Sequence, residues 1–353
     1  MRDLVERPVS FEHGYNMRCA HCPATTPLTS AEYYRQADGA HVACAGCAAQ
    51  IHFGLAAMTL RDPEDPVLDD RYLLDAAWYH TSTFPDWPHG SRAMPDATVE
   101  SLRRLMPEVS AHRVRALHEN QALHLGSYEA AIESMLRRMS SQDDGGTPFY
   151  LYRIALRHEG LAIEPGWRDE NSEKAAQISQ KELDDADIVR YLNVHESPGS
   201  ISLAVRPAAI ASLQRIPLPV PTARPVINAA LLANIDRVRQ EVARADAAAD
   251  TEPSPLELLL RKAAARSPDS SGIGPHRQQP ALPYEICQLL ENEYLAGVSQ
   301  PGRDRFTAAL RAWRTAHAPV DDADYALCFA SMASTLTQPD HVIRLISTQP
   351  VRQ

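Results

Sequence analysis

The chain has 353 residues, of which 44% are hydrophobic and 23% charged, an ordinary soluble composition with enough apolar material for a sizeable core. Its net charge of −10 and pI of about 5.8 exclude a global basic field that would draw it to nucleic acid or an anionic membrane. No run reaches the ~18 apolar residues of a membrane span and the first residues lack a signal-peptide core, so the expectation is a cytoplasmic protein with no membrane partner.

Residues 1 to about 60 carry four of the six cysteines, with short strand-like pieces such as His41-Val42-Ala43. A segment this small needs a metal or disulfide to fold. The acidic, Pro-punctuated stretch from Arg61 to Asp70 reads as a linker. From 71 to 219 the pattern is mixed. Leu73 to Tyr79 reads as a strand or its approach, and Ala97 to Leu105 and Val109 to Leu117 read as helices. Ala122 to Gly126 reads as a strand, and Glu129 to Met139 has helical apolar spacing through Ala130, Ala131, Met135 and Leu136. Phe149 to Leu156 is the strongest strand by aromatic and β-branched content. Ile188 to Val194 and Ser200 to Val205 follow, separated by the turn signal Pro198-Gly199. The prolines at 217, 219, 221 and 225 mark a boundary. Beyond it Val226–Ala249, Ser254–Arg266, Pro283–Gly297, Arg303–Ala316 and Asp321–Leu336 have helical spacing, with 268–280 as a disordered joint. The fold class expected is α+β, with a small N-terminal metal-binding ribbon (1–60), a central sheet domain (71–219) and an α-helical C-terminal module (220–353).

Cys19-Ala-His-Cys22 and Cys44-Ala-Gly-Cys47 are two Cys-x-x-Cys knuckles separated by 21 residues. Zn²⁺ takes four thiolates tetrahedrally at about 2.3 Å, and this spacing is that of a zinc ribbon. Four thiolates close the coordination sphere, so the implied zinc is structural. His21, His41 and His52 lie near the knuckles as alternative ligands or neighbours. Cys287 and Cys328 stand alone in apolar helical stretches and read as buried small hydrophobes.

Three further segments place polar side chains in or beside strand-like runs: Trp78-Tyr79-His80-Thr81-Ser82, Leu123-His124-Leu125-Gly126-Ser127-Tyr128-Glu129, and Arg190-Tyr191-Leu192-Asn193-Val194-His195-Glu196-Ser197-Pro198-Gly199-Ser200. If the runs neighbour one another in a sheet, His80, His124 and Glu196 converge. In this order they resemble the three motifs of the ADP-ribosyltransferase superfamily of the diphtheria-toxin and poly(ADP-ribose) polymerase type. The likeness covers about residues 71 to 206. Thr81 stands where the family usually has glycine, and Val194 stands where the arginine-modifying subgroup has a second carboxylate.

The resemblance implies a split-sheet core, NAD as substrate, and an ADP-ribose acceptor that the sequence leaves open among protein, nucleic acid and small molecule. It assigns Glu196 to the ribose as catalytic carboxylate and His80 to the cofactor's other end, fixed by Thr81 and Ser82. Either His124 or Tyr128 would sit beside nicotinamide. Arg153 is a candidate phosphate contact, and Arg190 a second. Chemistry supports these residue types: cleaving the nicotinamide–ribose bond builds positive charge on the sugar, which a carboxylate stabilises as in glycoside cleavage. Two other readings use the same residues. One is a non-catalytic adaptor for nucleic acid or protein, and the other is an NAD-dependent RNA 2′-phosphotransferase. The latter is weakened by the scarcity of phosphate-clamping arginines. Rossmann, P-loop and Gly-x-Ser-x-Gly signatures are absent from the sequence.

Overall fold

The computed structural model describes residues 3–37, 39–54, 57–88, 110, 122–141, 144–169, 178–220, 227–249 and 282–352. Among the described residues it is mixed α/β, with eight α-helices and small antiparallel sheets. Contacts divide it into two units: Met1–Arg138 with Thr147–Val220 and Gln338–Gln353, and Met139–Gly146 with Pro221–Thr337.

The first unit begins with two short hairpins, β1 (Tyr15–Arg18) with β2 (Thr25–Leu28), and β3 (His41–Ala43) with β4 (Gln50–His52). Between them lies α1 (Ser30–Ala37), started by a capping box: the Glu32 carboxylate accepts from the Thr29 amide at 2.8 Å, and Thr29 Oγ1 accepts from the Glu32 amide at 3.2 Å. Each cysteine pair falls at the turn of one hairpin.

The stretch expected to be a linker is instead ordered into two short turns of helix, mostly exposed, that send Val67 into the core. Pro66–Leu68 forms a 3₁₀ turn capped by Asp65, and Val67 is fully buried. Asp69 accepts from the amides of Arg71 and Tyr72 and starts α2 (Asp70–Asp75). These two amides hold the Asp69 carboxyl below the ordinary carboxylate range. Leu73 to Asp75 is therefore helical, and the strand begins only at Trp78. Alternating Asx caps set that boundary, a signal that the apolar run hid.

Two three-stranded antiparallel sheets follow. One has the order β10–β7–β5, from β5 (Trp78–Ser82), β7 (Phe149–Leu156) and β10 (Ile210–Leu218). The other has the order β6–β9–β8, from β6 (Leu123–Leu125), β8 (Ile188–Asn193) and β9 (Ser200–Val205). One apolar cluster is shared by both: Trp78, Tyr152 and Ile154 from the first pack with Leu123, Leu125, Leu203 and Val205 from the second. The sheets are joined where Tyr79 and Gly126 exchange backbone hydrogen bonds of 2.9 and 3.0 Å. Helix α3 (Tyr128–Ser141) starts directly after this junction, capped by Ser127 Oγ at 3.2 Å from the Ala130 amide. It buries Ile132, Met135, Leu136 and Met139, a single face at i, i+3, i+4 and i+7.

β10 was hidden in the sequence by Pro217, which reads as a boundary. As an edge strand it tolerates a residue without an N–H, and Pro217 lies opposite Tyr150.

The second unit contains α4 (Ala229–Ala249), α5 (Tyr284–Tyr294), α6 (Gln300–Ala316) and α7 (Asp322–Thr337). Its interior holds Leu290, Phe306, Leu310 and Phe329, with Phe306 and Phe329 edge to face at 5.0 Å. Asp322 accepts both arms of Arg239 at 2.7 Å. Cys287 is buried as expected, and its sulfur also accepts from Arg311 at 3.2 and 3.3 Å. The last helix, α8 (Pro339–Ser347), clusters with the first unit, where Gln214 Nε2 donates to the Ser347 and Gln349 carbonyls at 2.6 and 2.9 Å. The helices read at 97–105, 109–117 (apart from Ser110) and 254–266, and the joint at 268–280, lie outside the described residues.

Candidate functional site

The hairpin turns place Cys19, Cys22, Cys44 and Cys47 so that all four sulfurs lie within 4.8 Å of one another. Cys19 and Cys47 Sγ are 3.7 Å apart, and Cys22 and Cys44 Sγ 3.6 Å. Four thiolates bound tetrahedrally at about 2.3 Å have edges of about 3.8 Å, so the spacing fits a metal such as zinc. Backbone amides support the thiolate form: His21 N–H donates to Cys19 Sγ and Gly46 N–H to Cys44 Sγ, each at 3.3 Å. The Cys47 and Gly46 amides pull the Cys44 thiol down to about 6. Gly46 is required there, because a Cβ would lie 2.5 Å from the Ala24 Cβ and 3.4 Å from Cys22 Sγ. His41 and His52 face each other across the second hairpin and are exposed.

In the central sheets, His80 lies opposite Tyr152, and its ring stacks on Trp87 at 4.3 Å. His80 Nδ1 is 2.9 Å from the His124 carbonyl oxygen, so it carries the proton and donates. The first two segments thus meet. His124 Nδ1 lies 3.0 Å from the Tyr191 hydroxyl, which ties the second segment to the third.

Directly opposed residues of an antiparallel pair share a face. His124 opposes Ala204, Tyr191 opposes Ser202, and Asn193 opposes Ser200. One face of the second sheet therefore carries the polar series His124, Tyr191, Ser202, Asn193 and Ser200. Asn193 organises its end. Its Oδ1 accepts from the amides of His195, Glu196 and Ser197 at 3.1, 2.9 and 3.3 Å, and its Nδ2 donates to Ser202 Oγ at 3.0 Å. This Asx turn carries Glu196, whose Oε1 accepts from Arg137 of α3 at 2.6 Å. Gly126 lets α3 approach, since a Cβ there would lie 2.7 Å from Ala130 Cβ and 3.3 Å from Ser202 Oγ.

The other candidates occupy different places. Tyr128 is buried beneath Phe11 and Tyr79, edge to face with both rings at 6.3 and 5.4 Å, and burial raises its phenol far above the ordinary value. Thr81 is buried and donates to the Ala131 carbonyl at 2.8 Å, while Ser82 Oγ accepts from the Phe84 amide at 3.1 Å. Both hydroxyls therefore serve the fold around β5. Arg153 opposes Tyr79, on the face of β5 and β7 away from His80, and is held by Glu6 at 2.7 Å and Gln214 at 2.9 Å. Arg190 is buried against the Val67 carbonyl, at 2.8 Å, and Asp70. Neither arginine is the solvent-facing strand residue that its charge suggests, and both are engaged by protein groups. A cleft of about 500 Å³ runs along Arg157, Pro207 and Ile210–Leu213 and contains none of the trio.

No family model, curated protein or solved structure matches this chain. Its chemistry must be argued from these contacts. Trp87, Tyr191, Asn193, Ser202 and Arg137 are the neighbours that residue-by-residue reading missed. Three of them could have been flagged, because Tyr191 and Asn193 on β8, and Ser202 with Ser200 on β9, put polar groups at period two. Trp87 and Arg137 carry no such local signal. His80 meets the His124 main-chain carbonyl and the flat Trp87 ring, His124 meets the Tyr191 hydroxyl, and Glu196 meets Arg137 on the turn after β8. An imidazole stacked on an indole can hold a polar, aromatic-bearing ligand, and a carboxylate can stabilise developing positive charge.

Proposed function

We propose that the protein is an NAD-dependent ADP-ribosyltransferase and that its four cysteines hold a structural Zn²⁺. The observation that carries the enzymatic reading is the hydrogen bond from His80 Nδ1 to the His124 carbonyl beside the Tyr79–Gly126 junction, which brings two of the three motif segments to one place. The Asn193 turn gives Glu196 a fixed main-chain setting between β8 and β9. His124 is favoured over Tyr128 as the residue beside nicotinamide, because Tyr128 is almost wholly buried.

In this reading Glu196 stabilises the cationic sugar as the nicotinamide–ribose bond breaks, and His80, braced by Trp87, binds the cofactor's ribose hydroxyls. Nicotinamide leaves with the bond's electron pair, and the acceptor nucleophile adds at the same carbon. Arg153 and Arg190 are left out of phosphate binding, since each is committed to a carboxylate. That further weakens the RNA 2′-phosphotransferase alternative.

The test is nicotinamide release from NAD by purified protein. Wild type releases nicotinamide, and Glu196→Gln, nearly isosteric but uncharged, slows release by about 10²–10³-fold while NAD binding is kept. Binding of NAD without any release by wild type would favour the adaptor reading, and an active Glu196→Gln would remove the assignment of the carboxylate.

A further inference from the structure

The turn that carries Glu196 is fastened to the cysteine hairpins. Asn16, on β1, accepts through its carbonyl from the Thr59 amide at 3.0 Å, and its Nδ2 donates to the carbonyls of Leu60 and Arg61, each at 3.1 Å. The Arg61 amide in turn donates to the Gly199 carbonyl at 2.8 Å, and Arg61 Nη1 lies 3.4 Å from the Pro198 carbonyl. Gly199 closes the Asn193 turn through its own amide, 2.8 Å from the Asn193 carbonyl.

The contact leaves no slack. Gly199 has φ +81°, and a Cβ on it would lie 2.9 Å from Arg61 Cβ, 3.0 Å from Arg61 N and 3.1 Å from the Thr59 carbonyl oxygen. Beneath it runs a shared apolar core. Met17, Cys44, Ile51 and Met58 of the cysteine module pack in one cluster with Leu192 and Val194, which flank Asn193, and Cys19 and Cys22 pack against the same cluster.

We infer that the Thr59–Arg61 segment is a positioning element for Glu196, and that metal held by the four cysteines sets it. Hairpins this short have little core of their own, so their order depends on the metal. When the thiolates lose the ion, Met17 and Met58 lose their support, the Asn16 bonds to residues 59–61 loosen, and the Gly199 contact opens. Residues 197–199 then move, and with them the main-chain frame of Glu196. The two sheets keep their own core through Trp78, Tyr152 and Leu203. The clamp stands without the enzymatic reading, and only its effect on NAD cleavage rests on that reading.

The experiment is amide hydrogen exchange on the full chain, metal-loaded and after chelation, with metal content measured in parallel. Exchange at Arg61 and Gly199 should accelerate at least tenfold on metal loss while Ile154 of β7 stays protected. Unchanged exchange at both amides after full metal loss overturns the clamp. So does loss of protection at Ile154 as well, which would make the metal a requirement of the whole unit. Gly199→Ala separates clamp from metal: it should keep metal bound yet accelerate exchange at Arg61, and a protected Arg61 amide in that variant equally overturns the inference. If wild type fails to release nicotinamide, the enzymatic reading falls and the exchange result still decides the clamp.

Discussion

In the cysteine hairpins each ligand lies three residues from a second one, and two turns with one glycine bring four sulfurs within 4.8 Å. His80 and His124 are 44 residues apart and meet only because two sheets share one apolar core. The first site is assembled by local chain geometry, which brings four possible metal ligands together. The second is assembled by burial of side chains that take no part in it. Damage should therefore spread differently: loss at the cysteines should stay in the hairpins and the clamp, whereas loss in the core should reach every segment of the polar series.

The largest expected effect is at the four cysteines. Cys44→Ser removes the buried ligand whose sulfur accepts the Gly46 amide. Metal content should fall from one Zn²⁺ per chain toward none, and proteolysis should open within residues 15–58 before it opens the sheets. Apparent binding energies of structural zinc in small modules run to about 10–16 kcal/mol, far more than hairpins of this size gain from packing. A Cys44→Ser protein that keeps its metal and its resistance would mean the hairpins fold on packing alone, and the contrast between the two sites would disappear.

Next is Trp78→Ala. The indole is fully buried, packs in the core common to both sheets, and donates through Nε1 to the Leu73 carbonyl at 2.9 Å. Truncation should cost about 3–5 kcal/mol in denaturant unfolding and leave metal stoichiometry unchanged. If metal is lost together with the sheets, the two regions form one cooperative body and the difference drawn above is only one of assembly.

The same contrast governs what the sequence makes legible. Paired cysteines, the 149–156 and 200–205 strands and the start of α3 at Ser127 are written in neighbouring residues, through spacing, alternation and a cap. The 61–70 stretch reads as a linker because Asp and Pro mark both linkers and tight caps, and the burial of Val67 tells the two apart. Arg153 and Arg190 looked available because charge on a strand implies solvent, but Glu6 and Asp70 reach them from distant segments. The three polar segments could be singled out from their residues. Their separate fates could not, because whether a hydroxyl such as Thr81 faces a ligand or a helix carbonyl depends on what packs across the sheet.

The smallest effect, and the sharpest probe of the second site, is Arg137→Gln. The ion pair with Glu196 is short, at 2.6 Å, but the Arg137 side chain is 43% exposed. Exposed pairs contribute about 0–1 kcal/mol, so stability should shift by less than ~1 kcal/mol. Glu196 is presented by main-chain bonds to Asn193 and by the Gly199 contact, neither of which passes through Arg137. NAD cleavage by Arg137→Gln should therefore fall by less than about tenfold, well short of the loss expected for Glu196→Gln, since one tenfold step corresponds to only about 1.4 kcal/mol of barrier. Equal losses in the two variants would show that the guanidinium itself acts on the substrate. The functional unit on this turn would then be the ion pair, and its geometry would depend on α3 as well as on the strands.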